Sequence, residues 1–144
     1  MKKFKRCLLE VECKELSKTN EYQKFIDFAF GCCDLICLAY NKNLEDFNKS
    51  KWNFLKDSVV DTELTSSTPV TDSLGMKYLL LYLSIDEVSK KWLKERNNIY
   101  DFLSDGDEWL EDLCFIKNNT VVFASCTHEK FCHMSNALYK LYRK

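Results

Sequence analysis

Residues 113–126 have the sequence LCFIKNNTVVFASC, in which two short apolar runs are separated by two asparagines. The runs, 113–117 and 121–126, contain the β-branched and aromatic side chains that favour strands. Asparagine tolerates the positive φ angles of a tight hairpin turn, so Asn118 and Asn119 indicate a turn between antiparallel strands. We therefore expect a C-terminal β-hairpin.

The residues before the hairpin carry mainly helical patterns. Phe4, Leu8 and Val11 have helical spacing, and we favour a first helix over residues 4–16, although Leu8 and Leu9 followed by alternating Glu10 and Glu12 also fit a strand. Asn20 and Gln23 have the spacing of a capping box, and the apolar residues from there to Tyr40 predict a second helix that is apolar nearly all round. Such a helix packs on two sides and is expected at the centre of the domain. Residues 41–61 are amphipathic, and part of them predicts another helix.

The middle of the chain changes character. Residues 62–75 are rich in Ser, Thr, Asp, Pro and Gly and predict a long loop. Residues 76–83 form a continuous apolar run, which is typical of a strand covered on both faces. Ser84 and Glu87 indicate a capping box at the start of a further helix, and the apolar spacing within 134–142 predicts a short C-terminal helix. Helices early and antiparallel strands late predict an α+β fold, with a small antiparallel sheet and the helices packed mainly on one face.

Length and composition limit both the architecture and the partners. The 144 residues suit a single domain, 1–144, and 46% hydrophobic residues with only three Gly and one Pro indicate a stable core. The formal net charge of −1 supplies no broad positive field. Neither nucleic acid nor an anionic membrane is therefore an expected partner.

The start of the chain and the cysteines predict a cytoplasmic protein. Glu10 and Glu12 lie where a secretory signal would need an apolar segment. The longest apolar run, 28–40, is interrupted by Asp34 and is shorter than the ~20 residues that span a bilayer. The eight cysteines include three within that run, where thiols behave as small hydrophobic groups, so reduced thiols are expected.

A cluster near the C-terminus has the residue types of a zinc site. Cys126, His128, Cys132 and His133 lie within eight residues of one another. A zinc- or thiol-dependent enzyme centred on these four side chains is one hypothesis. The other is that the cysteines lie in the core and that His128 is a hydrogen-bonded corner residue. We favour the second and expect no catalytic residue, no metal ligand and no cofactor.

An acidic stretch between the predicted helix and the hairpin is the most informative surface feature. It has a tryptophan among its carboxylates: Asp101, Asp105, Asp107, Glu108, Trp109, Glu111 and Asp112. One interpretation is a solvated loop. The other is a surface that binds a basic protein, because clustered carboxylates steer a cationic partner and an aromatic residue then provides a desolvated contact.

Several short motifs resemble a bacterial family of small cytosolic proteins. They are Phe28-Ala29-Phe30-Gly31-Cys32-Cys33-Asp34, Tyr78-Leu79-Leu80-Leu81-Tyr82-Leu83, Ile99-Tyr100-Asp101-Phe102, Glu111-Asp112-Leu113-Cys114-Phe115 and Thr127-His128-Glu129. In these motifs the chain resembles immunity proteins of contact-dependent growth inhibition and polymorphic toxin systems. The resemblance implies tight binding to a cognate toxin domain, often a nuclease, without enzymatic turnover.

The sequence thus predicts an immunity protein that neutralises a toxin domain by occluding it. The expected toxin contacts are Asp105, Asp107, Glu108, Trp109 and Glu111. Residues of the family pattern are expected to act chiefly in the structure: Asp34, Asp112, His128 and Glu129, together with Glu111. The pattern does not indicate an oligomeric state.

Overall fold

The computed structural model describes residues 4–68, 76–102 and 104–144. The strands are β1 (Lys5–Arg6), β2 (Val11–Glu12), β3 (Leu35–Tyr40), β4 (Val59–Thr65), β5 (Tyr78–Ser84), β6 (Ser104–Asp105), β7 (Glu108–Lys117), β8 (Thr120–Cys126) and β9 (Phe131–Met134). The α-helices are α1 (Thr19–Cys32), α2 (Leu44–Lys49), α3 (Glu87–Lys94) and α4 (Asn136–Tyr142), and 3₁₀ helices cover Lys14–Ser17 and Asn53–Ser58.

One sheet organises the described residues. Its strand order is β2-β9-β8-β7-β3-β5-β4, and each neighbouring pair is antiparallel. Two short strands extend it, since β1 pairs with β8 in parallel and β6 pairs with β7. The fold is α+β with an antiparallel sheet, as predicted.

The helices pack on one face of this sheet. Buried residues of all four α-helices belong to a single cluster, which also includes Leu81 of β5 and Phe115 of β7. The Phe25 ring of α1 lies 4.7 Å from Phe123 and 5.7 Å from Phe115 between centroids. The prediction that helices gather on one face is confirmed.

The opposite face of the sheet has a second buried cluster. It contains Cys37, Ala39, Leu80, Tyr82, Cys114, Ile116, Val121 and Ala124. The Phe4 ring packs on Tyr82 at 4.9 Å. Central strands are therefore apolar on both faces, which explains their continuous hydrophobic sequences.

The hairpin prediction is confirmed. Strands β7 and β8 pair around Asn118 and Asn119, whose φ angles are +50° and +60°. Positive φ at both central residues is the requirement of a type I′ turn. The strand predicted over 76–83 appears as β5, and the short C-terminal helix appears as α4.

The helix predicted up to Tyr40 was wrong in its second half. It ends at Cys32, and residues Leu35–Tyr40 form β3, which lies between β5 and β7. A strand buried on both faces lacks alternation, so its apolar run fitted a helical period equally well. The predicted cap was also wrong, because Lys18 precedes the helix without a side-chain bond and the Gln23 side chain donates to Lys94 O at 2.9 Å.

Three further predictions need correction. Residues 4–16, predicted as a helix, contain β1, β2 and the start of a 3₁₀ helix, because this segment pairs with β8 and β9. Residues 62–65 of the predicted loop belong to β4, while 69–75 lie outside the described residues. The α3 cap is Asp86 with Ser89 rather than Ser84 with Glu87.

None of the helices in the described ranges is long and apolar enough to span a membrane.

Candidate functional site

The acidic stretch forms a hairpin rather than a loop. Strand β6 pairs with the start of β7, with Ser104 opposite Trp109 and Asp105 opposite Glu108. Gly106 and Asp107 form the two-residue turn, and Gly106 has φ +62°. Glycine at the first central position is the requirement of a type II′ turn. We call residues 104–109 the acidic hairpin.

Two residues at the end of β3 hold the acidic hairpin in place. The Asn41 side chain donates to Asp107 O at 2.7 Å and accepts from Trp109 N at 2.6 Å. Lys42 Nζ lies 2.8 Å from Asp107 Oδ2, although the Asp107 side chain is 83% exposed. Hydrogen bonding from Lys42 and its charge lower the pKa of Asp107, so this carboxylate stays ionised. The turn is therefore presented to solvent in a fixed position.

Glu108 is directed partly toward the interior. The Tyr40 hydroxyl is buried and has no hydrogen-bond partner among the described residues. Burial raises the pKa of Tyr40, and the nearby Glu108 carboxylate raises it further. Glu108 is half-buried near this hydroxyl, which makes it a less available surface contact than the exposed Asp105.

A bulge in β7 separates the acidic hairpin from the rest of that strand. The register between β3 and β7 shifts between Cys37 and Ala39, and Asp112 of β7 has φ +59°. Asp112 and Thr127 bond reciprocally: Asp112 Oδ1 accepts from Thr127 N at 2.8 Å, and Asp112 N donates to Thr127 Oγ1 at 3.2 Å. The bulge is thereby tied to the turn after β8.

Next to the bulge, a buried acid meets an exposed imidazole. Glu111 Oε1 lies 3.0 Å from His128 Nε2, with side chains 8% and 65% exposed. The Trp109 ring stands edge-on to His128 at 6.2 Å. Burial raises the pKa of Glu111, the neighbouring Asp112 raises it further, and His128 opposes both. His128 thus covers a carboxylate that would otherwise be buried without this hydrogen-bonding partner.

The predicted contact residues divide into three groups. Asp105 and Asp107 are exposed, Glu108 and Trp109 are half-buried, and Glu111 is buried. The Glu111 carboxylate lies against His128, and a role for Glu111 in the contact surface stays a prediction.

Three of the residues predicted to be structural, Asp34, Asp112 and His128, occupy connecting positions. Asp34 Oδ2 accepts from Asn118 N at 2.7 Å and so joins the end of α1 to the hairpin turn. Asp112 and His128 make the contacts described above, while Glu129 is exposed in the same turn as His128.

The four residues of the zinc hypothesis do not converge. Cys126 and Cys132 are buried at different positions of the β8–β9 pair, since Cys132 faces Ser125 and Cys126 faces Phe131. The Cys132 thiol donates to Cys13 O at 3.2 Å, and burial raises its pKa to about 11. Over the described ranges, no three His, Cys, Asp or Glu side chains are arranged to hold a metal ion.

Sequence reasoning missed Asn41 and Lys42. Both residues follow a strand that was predicted to be a helix. Their contact with the acidic hairpin also depends on the pairing of β3 with β7, because Asn41 and Asp107 are 66 residues apart in the chain. The one local signal is an Asn-Lys-Asn sequence after an apolar run. It predicts a turn but does not indicate that the turn contacts the acidic hairpin.

Comparisons of the chain with protein-family models, curated proteins and solved structures find no match. The resemblance to immunity proteins therefore stays a prediction.

Proposed function

We propose that the chain is an immunity protein that binds and neutralises a cognate bacterial toxin domain. The observation that carries the proposal is the acidic hairpin, an exposed acidic turn with an adjoining tryptophan that Asn41 and Lys42 hold in position. A surface that is already ordered loses little conformational entropy on binding, which favours tight and stoichiometric inhibition.

The chemistry of the acidic hairpin suits a basic partner. Asp105 lies in solvent, where it attracts cations over a Debye length of ~8–10 Å, whereas Lys42 partly balances the charge of Asp107. Trp109 is half-buried against His128, so part of its ring remains available for one desolvated contact. Nucleases that hold phosphates are basic, and we propose that the toxin domain is of this class.

The experiment uses the toxin domain encoded beside this chain. Purified protein is expected to suppress its activity at a 1:1 ratio. Asp105→Lys is expected to slow association by about tenfold at low salt, with a smaller effect at high salt, because steering is electrostatic. Stopped-flow measurements at several salt concentrations give the association rates of the wild type and of Asp105→Lys.

Asp57→Lys is the matched control, since Asp57 is exposed in the 3₁₀ helix Asn53–Ser58 and lies outside the acidic hairpin. It makes the same charge change and is expected to reduce the association rate much less. Absence of binding to the toxin domain at micromolar concentration would refute the proposed function. Equal effects of both variants would place the contact surface elsewhere.

A further inference from the structure

Two adjacent cysteines lie at the junction of helix α1 with strand β3. Cys32 is the last residue of α1, and Cys33 follows it with an extended backbone, φ −101° and ψ 164°. Neighbouring side chains diverge within a helix and point to opposite faces within a strand. At this junction the two sulfur atoms lie 3.9 Å apart. We call Cys32 and Cys33 the vicinal dithiol.

Hydrogen bonds of the backbone fix the position of the vicinal dithiol. Cys33 N donates to Ala29 O at 2.8 Å, which closes the last turn of α1. Asp34 N donates to Ile116 O at 2.8 Å, and Asp34 Oδ2 accepts from Asn118 N at 2.7 Å. The junction is thus anchored to the helix and, directly after the pair, to the C-terminal hairpin. A ligand that bonds both sulfurs therefore costs the protein little conformational entropy.

The vicinal dithiol is accessible from the side of Cys32. Cys32 is half-buried, and the preceding Gly31 is exposed. Apart from the chain neighbours of Gly31 and its own helix backbone, no atom lies within 4 Å of the position that a Cβ would occupy there. Cys33 is 8% exposed and belongs to the buried cluster on the helix-covered face. One thiol of the pair is therefore open to a small reagent, and the other lies beside it against the core.

The buried position of Cys33 favours a ligand that leaves the site uncharged. Burial raises the pKa of the Cys33 thiol, and the neighbouring Cys32 raises it further, while Lys117 opposes both. A negative charge on this sulfur is therefore disfavoured at neutral pH. Two thiolates on a monovalent cation would carry a net negative charge. Two sulfurs bonded to trivalent arsenic with one organic substituent are neutral.

We propose that the vicinal dithiol is a binding site for monosubstituted trivalent arsenicals. An oxide R–As=O reacts with both thiols: the two S–H bonds break, two As–S bonds form, and the oxygen leaves as water with the two protons. Arsenic remains trivalent, so the step needs neither oxidant nor reductant. Its two exchangeable positions match the two sulfurs, whereas zinc takes four ligands. This inference does not depend on the proposed function.

The test uses the reduced 144-residue chain with phenylarsine oxide as the probe. Native mass spectrometry is expected to show one phenylarsenic group per chain in place of two protons. The group should stay bound in millimolar glutathione, a monothiol, and should be removed by a small dithiol. Cys32→Ser is expected to weaken retention against glutathione at least about tenfold, because the second As–S bond is no longer intramolecular.

Cys7→Ser is the matched control for this substitution. Cys7 is also a half-buried cysteine, but it lies between β1 and β2. Its loss is expected to leave retention of the phenylarsenic group unchanged. Cys33→Ala should weaken retention as Cys32→Ser does, and far-UV circular dichroism checks that each variant is folded. If Cys33→Ala does not fold, Cys32→Ser decides the test, because its side chain is only half-buried.

A second pair of neighbouring cysteines provides a further comparison. Cys132 Sγ donates to Cys13 O at 3.2 Å, and the two residues are 1% and 0% exposed. A reagent reaches such thiols only when their segment opens, so Cys132→Ala should retain the phenylarsenic group as the wild type does. Loss of binding in Cys132→Ala alone would place the site at this buried pair and overturn the proposal. A folded wild type that binds no phenylarsenic group, or a Cys32→Ser protein that retains it equally well, would also overturn it.

Discussion

Asp112 is the residue at which backbone and charge are most closely linked. Its φ of +59° is uncommon for a residue with a side chain, but Asp and Asn adopt it more readily than others. Its carboxylate accepts the Thr127 N–H, and burial raises its pKa above the ordinary 3.8 despite that bond. The buried charge of Asp112 therefore lowers the stability of the fold, while its carboxylate holds the bulge in place.

We predict that Asp112→Asn raises the free energy of unfolding at pH 7. Asparagine keeps both the acceptor for Thr127 and the tolerance of positive φ, while it removes the charge. Because the pKa is raised in the folded state, wild-type stability falls as the pH rises from 3.8 through that raised pKa. The two proteins should be equally stable near pH ~3 and diverge above it, as measured by urea unfolding across this range.

Asp112→Ala provides the comparison for this prediction. It removes the same charge but leaves the Thr127 N–H without its acceptor, so we expect a loss of ~1–3 kcal/mol at pH 7. If Asp112→Asn were as destabilising as Asp112→Ala, the carboxylate charge itself would be required for the bulge.

At the scale of elements, the N-terminus of α3 is held by an unusually complete cap. Asp86 Oδ1 accepts from Ser89 N at 2.9 Å, and Asp86 Oδ2 accepts from the hydroxyls of Ser58 and Ser84, each at 2.8 Å. Burial opposes ionisation of Asp86, but these bonds outweigh it and lower its pKa. The cap thus joins α3 to the end of β5 and to the residue before β4.

We predict that Asp86→Ala lowers the free energy of unfolding by about 2 kcal/mol at pH 7, because a helix cap and two hydroxyl partners are lost. The contribution of Asp86 is present above pH 3.8 and disappears as the pH falls through its lowered pKa. Asp86→Asn, which retains a capping oxygen, should cost less. Chemical denaturation at pH 7 and near pH ~2 compares the three proteins, and a pH-independent loss in Asp86→Ala would contradict this account.

The elements with local signals were predictable, and those that depend on distant pairing were not. Asn118 and Asn119 specify their turn by themselves, whereas β3 has the same apolar sequence that a buried helix would have. The α3 helix was predicted with the wrong cap, since Ser84 and Asp86 are both acceptable caps in sequence. Only the strand geometry of β5, which continues through Ser84, selects Asp86.

At the scale of the whole molecule, stability depends on the aromatic centre of the helix-covered face. Phe25 is fully buried and packs on Phe28, Phe115, Phe123 and Tyr142, with centroid distances between 4.7 and 6.4 Å. These contacts join α1 and α4 to the two strands of the C-terminal hairpin. Loss of the Phe25 ring would therefore weaken several elements at once.

We predict that Phe25→Ala costs ~3–5 kcal/mol and that Phe25→Leu costs less, because a leucine refills much of the cavity. That loss is a large share of the ~5–15 kcal/mol typical of a domain. Urea titration followed by tryptophan fluorescence measures it. A cost below ~1 kcal/mol for Phe25→Ala would mean that the core collapses around the missing ring.

The candidate site was only partly predictable at this scale. Sequence placed Asp105, Asp107 and Trp109 in one acidic stretch, and the structure gathers them in the acidic hairpin. The same stretch also contains Glu111, whose burial follows from its place in β7 opposite Ala39. The sequence shows which residues are acidic. Which of their carboxylates face solvent depends on the register in which the strands pair.

The thiols of this chain have an experimental consequence. None of the eight cysteines forms a disulfide, and six of them are buried in different parts of the chain: Cys13, Cys33, Cys37, Cys114, Cys126 and Cys132. An alkylating reagent reaches such a sulfur only when its own segment opens. Mass spectrometry of timed alkylation would therefore rank the opening of individual strands in the unmodified polypeptide, without any introduced probe.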